Sequence, residues 1–142
     1  NGKALGVTGS SQGGALSMVT AALDKRVTFY AAIHPAMCDH RAHLQKVAGG
    51  WPHYFYYFPT PTPQRIQTAD YYDMVNFARR ITVPGWFSWG YNDDVCPPTS
   101  TYAAYNSITA PKELHPYLET GHYWYQEQYE QWSQWLWAQM GL

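Results

Sequence analysis

Residues 9–13 read Gly-Ser-Ser-Gln-Gly, between a short apolar run (residues 3–8, KALGVT) and a run rich in Ala, Leu and Met (residues 12–23, QGGALSMVTAAL). Few chain geometries accommodate G-x-S-x-G at such a junction. The pattern predicts a strand, one tight turn and a helix, with Ser11 held in a strained backbone conformation that pushes its Oγ clear of a sheet. Gly9 and Gly13 are expected to remove side chains that would collide as strand and helix approach. A helix opening at Gln12 leaves its first N–H groups free, so the Gln12 amide is a candidate donor to a developing oxyanion. Ser11 is the candidate nucleophile. The five residues alone also fit a Gly/Ser turn that merely caps a helix, so the rest of the chain has to decide.

Three further apolar runs follow: residues 27–34 (VTFYAAIH), 81–91 (ITVPGWFSWGY) and 113–118. Each reads as a strand, with Pro84 marking an edge or the first residues of its run. Residues 123–140 carry Tyr125, Tyr129, Trp132, Trp135, Leu136 and Met140 at helical spacing and predict an amphipathic terminal helix. Strands alternating with helices point to the α/β class and a parallel sheet with helices on its faces. Residues 38–80 depart from that rhythm. They hold WPHYFYYF (residues 51–58) and PTPTP (residues 59–63), and read as an irregular insertion that forms a lid or pocket wall.

A serine nucleophile needs a base oriented by an acid, and in the hydrolase fold built on this turn the order along the chain is Ser, Asp, His. Asp93 or its neighbour Asp94 follows the run ending at Tyr91, and spacing does not separate the two. Gly121-His122 follows the last strand. An ordinary imidazole titrates near pH 6.5, so His122 suits the base. His34 and His115 read as packing or hydrogen-bonding residues at strand positions. His40, His43 and His53 with Asp39 match no familiar metal-ligand spacing, so no metal is expected. Cys38 and Cys96 stand in no CxxC pair and read as buried free thiols.

Composition narrows the partners. The 142 residues carry nine scattered Lys and Arg and a net charge of −1, with no basic stripe to neutralise a phosphate backbone, which argues against nucleic acid. No apolar run approaches the ~20 residues of a membrane-spanning helix. Seven Trp, thirteen Tyr and five Phe could stack on sugars, but this density also suits cores and subunit interfaces.

Taken together, residues 6–15 (GVTGSSQGGA), 69–78 (ADYYDMVNFA), 90–98 (GYNDDVCPP), 101–106 (TYAAYN) and the Gly121-His122 step resemble the acetyl xylan esterase and cephalosporin C deacetylase family, carbohydrate esterase family seven. The resemblance covers nearly the whole chain. It implies an α/β-hydrolase fold and favours Asp93 over Asp94, because the family's acid lies two residues before Val-Cys-Pro-Pro. It also implies a cofactor-free deacetylase acting through an acetyl-enzyme on acetylated xylo-oligosaccharides or related small acetates, with Ser11, Asp93 and His122 as its triad and the Gln12 N–H as one oxyanion donor. Homo-hexamers are implied as well.

A complete sheet of this fold has about eight strands and roughly twice this length. The chain is therefore expected to form the C-terminal half of the sheet, within one catalytic domain (residues 1–142). The early strands and the second oxyanion donor would come from another chain or from residues not in this sequence. The strand at residues 3–8 would then form an exposed edge. The rival readings are a peptidase or general carboxylesterase on the same fold, and a non-catalytic carbohydrate-binding or interface module.

Overall fold

The computed structural model describes residue 2 and residues 4–142. Four parallel strands form one sheet: β1 (Gly6–Ser10), β2 (Phe29–Ile33), β3 (Gly85–Gly90) and β4 (Lys112–Tyr117), in the spatial order β1-β2-β3-β4. The order steps always in one direction across the sheet. Right-handed crossovers that step the same way leave their helices on the same face of the sheet. The crossover helices are α1 (Gln12–Leu23), α4 (Met74–Ala78) and α5 (Pro98–Ser107), and α4 packs on both α1 and α5. The terminal helix α6 (Gln126–Met140) follows the last strand and covers the other face.

Alternation along the strands feeds two cores. Tyr30, Ala32, Phe87 and Trp89 turn toward α1, α4 and α5, where they meet Ala15, Met18, Met74, Ala78 and Ala104. Phe29, Ala31, Ile33 and Trp86 turn toward α6 and pack on Trp135, Trp132 and Leu136. Both faces of β2 and β3 are covered, and every residue of these two strands is buried. β1 lies at the sheet edge with Gly6 and Thr8 exposed, as expected of its position.

The observed elements depart from the sequence expectations in informative ways. β1 starts three residues and ends two residues later than the expected 3–8, since the strand continues up to Ser11 and the turn is a single residue; Lys3 lies outside the described residues. β3 starts only after Pro84, and Ile81 instead closes the turn after α4 as a buried core residue. α6 begins at Gln126 rather than 123, with the Tyr125 N–H donating to Gln128 Oε1 at its entry. α5, which no sequence pattern had revealed, buries Ser100, Thr101 and Ala104.

The insertion is more regular than expected. It holds a 3-10 helix (His40–Gln45), α2 (Tyr54–Tyr57), α3 (Pro63–Asp70) and α4. The buried Asp73 carboxylate organises it, accepting the N–H groups of Asp39 (3.0 Å), His40 (2.7 Å) and Val75 (2.9 Å). Among the described residues, no helix is long and apolar enough to cross a membrane.

Candidate active site

In a parallel sheet the strands' C-terminal ends lie on one side, and loops leaving them converge there. Three such loops meet. Ser11 follows β1 with φ 56° and ψ −119°, a backbone conformation costly for any residue bearing a Cβ. Its N–H donates to the Ile33 carbonyl (2.9 Å), and its own carbonyl accepts from Ala15 and Ala36 (3.1 and 3.0 Å). These three bonds fix the turn between β1, β2 and α1 and offset the strain.

The glycines divide their work differently from expectation. A Cβ on Gly9 would lie 2.3 Å from the Gly13 carbonyl carbon, so Gly9 is needed for the close approach. A Cβ on Gly13 would meet nothing within 4 Å. The second tight contact is at Gly14, where a Cβ would lie 3.0 Å from the Ile33 carbonyl oxygen.

The loop after β3 carries Asp93, which is buried. Its Oδ1 accepts the backbone N–H groups of Val95 (2.9 Å) and Cys96 (2.8 Å), leaving Oδ2 for the His122 Nδ1 at 2.8 Å. The opposite edge of the His122 ring presents Nε2 to Ser11 Oγ at 2.9 Å. Ser11, His122 and Asp93 thus form one continuous hydrogen-bonded chain. Asp94, the alternative acid, is exposed and makes no such contact. Its neighbour's two backbone bonds give the carboxylate a single orientation, the arrangement that fixes an imidazole's tautomer.

The Gln12 N–H opens α1 and, among the described residues, bonds no backbone acceptor, so it stays available beside Ser11 Oγ. A cavity of about 540 Å³ adjoins it, lined by Gln12, Met37, His40, Trp51, Pro52 and Tyr54 together with residues of α3. Trp51, Pro52 and Tyr54 belong to the insertion, which therefore walls this side of the site. Its attachment is direct: Met37 N–H donates to the Trp51 carbonyl (2.8 Å) and Trp51 N–H to the Val95 carbonyl (3.0 Å).

Both cysteines are buried free thiols, as expected. Burial, then the neighbouring Asp93 carboxylate, pushes the Cys96 thiol up to about 12. Burial holds Cys38 well above the usual thiol range. His115 packs flat on Trp86 (5.1 Å between centroids), matching its reading as a packing residue. Among the described residues, His40, His43 and His53 belong to no cluster of metal-donor atoms. For His34 the sequence suggests no more than packing or hydrogen bonding at a strand position. The residue lies just past β2 with φ 31°, is buried, and puts its ring 4.3 Å from that of His122. No periodicity in the sequence signals that contact, which is made only by the tertiary fold.

The sequence profile described as acetyl xylan esterase (AXE1) matches residues 2–139. The chain belongs to the acetyl xylan esterase family. Over 113 residues, 80% of the chain, it is 56% identical to the acetyl esterase Axe7A of Xylanibacter ruminicola, of which it covers 26%. Among solved structures, the acetyl xylan esterase from Paenibacillus sp. R4 superposes over 94% of the chain with a TM-score of 0.81 and 30% identity. Acetyl xylan esterase 1 from Thermoanaerobacterium sp. JW/SL YS485 does so over 98% of the chain, with a TM-score of 0.80 and 28% identity. The chain spans 44% and 46% of these two family structures, less than half of each. An acylaminoacyl peptidase from Pyrococcus horikoshii, 11% identical with a TM-score of 0.69, shares the fold alone. The α/β-hydrolase fold expected from the turn at Ser11 is thus the fold of the family.

Proposed function

We propose that the protein is a serine esterase that removes acetyl groups from acetylated xylo-oligosaccharides or related small acetyl esters. The observation that carries this reading is the hydrogen-bonded chain from Ser11 Oγ through His122 to Asp93, in a member of the acetyl xylan esterase family. In the proposed reaction Ser11 Oγ attacks the ester carbonyl carbon while His122 Nε2 takes its proton. The oxyanion accepts the Gln12 N–H, and Asp93 stabilises the imidazolium. Collapse expels the sugar hydroxyl, which takes the proton from His122, and leaves an acetyl group on Ser11. A water molecule, deprotonated by His122, then attacks that acetyl ester. Acetate leaves, and Ser11 regains its proton.

No cofactor enters these steps. A second oxyanion donor is expected from a loop after an early strand of the fold, and we place it outside these 142 residues. Similarity to Axe7A and to the two solved esterases supports an acetyl ester over a peptide, because the peptidase neighbours are related by fold only.

Hydrolysis of p-nitrophenyl acetate by the natural full-length protein, beside its Ser11→Ala variant and with butyrate and octanoate esters for comparison, tests the proposal. Rapid acetate release that disappears in Ser11→Ala is expected, with activity falling as the acyl chain lengthens. Activity that survives in Ser11→Ala, or that peaks on the octanoate ester, overturns it.

A further inference from the structure

His34 is a buried histidine that the proposed reaction does not use. Its Nε2 lies 2.6 Å from the Oγ of Ser10, the residue before the proposed nucleophile. Its backbone N–H donates to the Ser88 carbonyl at 2.7 Å, and its left-handed φ of 31° turns the chain at the end of β2. Among the described residues, its Nδ1 is buried without a partner. The ring is tilted 49° against the His122 ring at 4.3 Å, and Trp124 closes its far edge at 6.4 Å. A bulky polar residue held in a strained conformation with an orphaned nitrogen costs stability, and such features persist where surrounding structure or function requires them.

Resting on the esterase reading above, we propose that His34 is a positioning residue: Ser10 anchors its ring, and the ring serves as a rigid shelf that keeps His122 aligned between Ser11 and Asp93. His122 is the member of the hydrogen-bonded chain that needs such help. It stands on a loop, it is the least buried of the two charged partners, and it must turn neither toward solvent nor away from Ser11 when it gains a proton. Among the described residues, the titratable groups that meet its ring are Asp93, from the loop after β3, and His34, from the end of β2; Ser11 brings no charge, and Trp124 packs on His34. A shelf must also stay uncharged, because two imidazolium rings at this separation repel. Burial first, and the neighbouring His122 second, hold His34 down to about 3, so it is neutral wherever His122 works.

The test compares His34→Ala, His34→Phe and Ser10→Ala with Ser11→Ala in the natural full-length protein. Readouts are kcat and KM on p-nitrophenyl acetate, the acid limb of the kcat/KM profile, and the thermal midpoint. His34→Ala is expected to lower kcat about tenfold or more with KM within about twofold, since loss of alignment acts on the reacting geometry. It also admits water beside the His122 imidazolium, so the acid limb moves to higher pH. His34→Phe, which keeps a neutral flat ring without its anchor to Ser10, restores both to the level of Ser10→Ala. Ser10→Ala, which frees the ring without removing it, shifts kcat in the same direction by less. Wild-type kcat and acid limb in a folded His34→Ala protein overturn the proposal. So does a loss of kcat that His34→Phe fails to restore, even if the thermal midpoint recovers. Activity remaining in Ser11→Ala would instead sink the esterase mechanism itself, so the two failures are distinguishable.

Discussion

Gly90 ends β3, and on it depends how close the Asp93 loop can come to the His122 loop. A Cβ built at Gly90 would lie 2.2 Å from the Thr120 carbonyl oxygen and 2.3 Å from Thr120 Oγ1. Two backbone bonds tie the loops at that point: Tyr91 N–H to the Tyr117 carbonyl (3.0 Å) and Asn92 N–H to the Thr120 carbonyl (2.9 Å). Because the obstacle is largely backbone, Gly90→Ala cannot be absorbed by turning a side chain. The strands must part by about 1 Å before the contact becomes an ordinary one. Asp93 lies three residues beyond one side of that wedge and His122 two residues beyond the other, so the opening acts on the 2.8 Å bond between them. A misplacement of about 1 Å at a reacting group costs about 100-fold in rate, and overpacking of this kind costs roughly 1–3 kcal/mol in stability. Gly90→Ala is thus expected to lower kcat/KM on p-nitrophenyl acetate about 100-fold while the protein still folds, as read by urea unfolding. Gly121→Ala is the control. A Cβ there would lie 3.5 Å from the Asn92 carbonyl oxygen, an ordinary contact, and activity should stay within about threefold of the wild type. Near wild-type activity in Gly90→Ala would refute the argument that this close approach sets the Asp93–His122 geometry.

In Asp93→Asn the amide oxygen should stay on the Val95 and Cys96 N–H groups, turning the NH₂ toward His122 Nδ1 and forcing the wrong tautomer; kcat should fall about 10⁴-fold, while Asp94→Asn stays within about twofold. Ser88 Oγ donates to the His115 carbonyl (2.6 Å) and accepts from Gln128 Nε2 (2.7 Å), tying α6 to the sheet. Ser88→Ala leaves the buried Gln128 amide short of a partner and should cost about 1–3 kcal/mol by urea unfolding. His34 makes stability depend on pH. Its pKa is depressed to about 3 in the folded protein, so as pH falls below the ordinary 6.5 the unfolded chain takes up a proton the folded one refuses. Stability is lost from about pH 6.5 down to about 3, at up to about 1.4 kcal/mol per pH unit. Between pH 7 and pH 5 the wild type should therefore lose about 2 kcal/mol more than His34→Phe, in which this titration is gone. Parallel unfolding curves for the two proteins would contradict the assignment of a neutral, buried His34.

Much of this was legible because the decisive features are local. G-x-S-x-G at a strand–helix junction can be satisfied by few turns, and Ser11 adopts the strained one. β2, buried on both faces, announces itself as a continuous apolar run. α5 escaped notice for the opposite reason. Its buried residues are Ser100, Thr101 and Ala104, and small polar side chains leave no apolar stripe to read. The helices of the insertion run only four to eight residues and are held by loop contacts such as those of Asp73, so no period could build up. The choice between Asp93 and Asp94 came from resemblance. Its physical ground is the pair of backbone N–H groups that bury one carboxylate and leave the other in solvent. His34 was invisible as anything but a strand residue, since its ring contact joins chain segments that only the folded sheet brings together.

Ser11, and not its neighbour Ser10, is the proposed nucleophile. The most direct test is treatment of the natural full-length protein with a fluorophosphonate, followed by proteolysis and mass spectrometry of the peptide containing both serines. One covalent adduct is expected, on Ser11, formed in step with loss of esterase activity and greatly slowed in His122→Ala. An adduct on Ser10, or full inactivation with Ser11 unmodified, would contradict it.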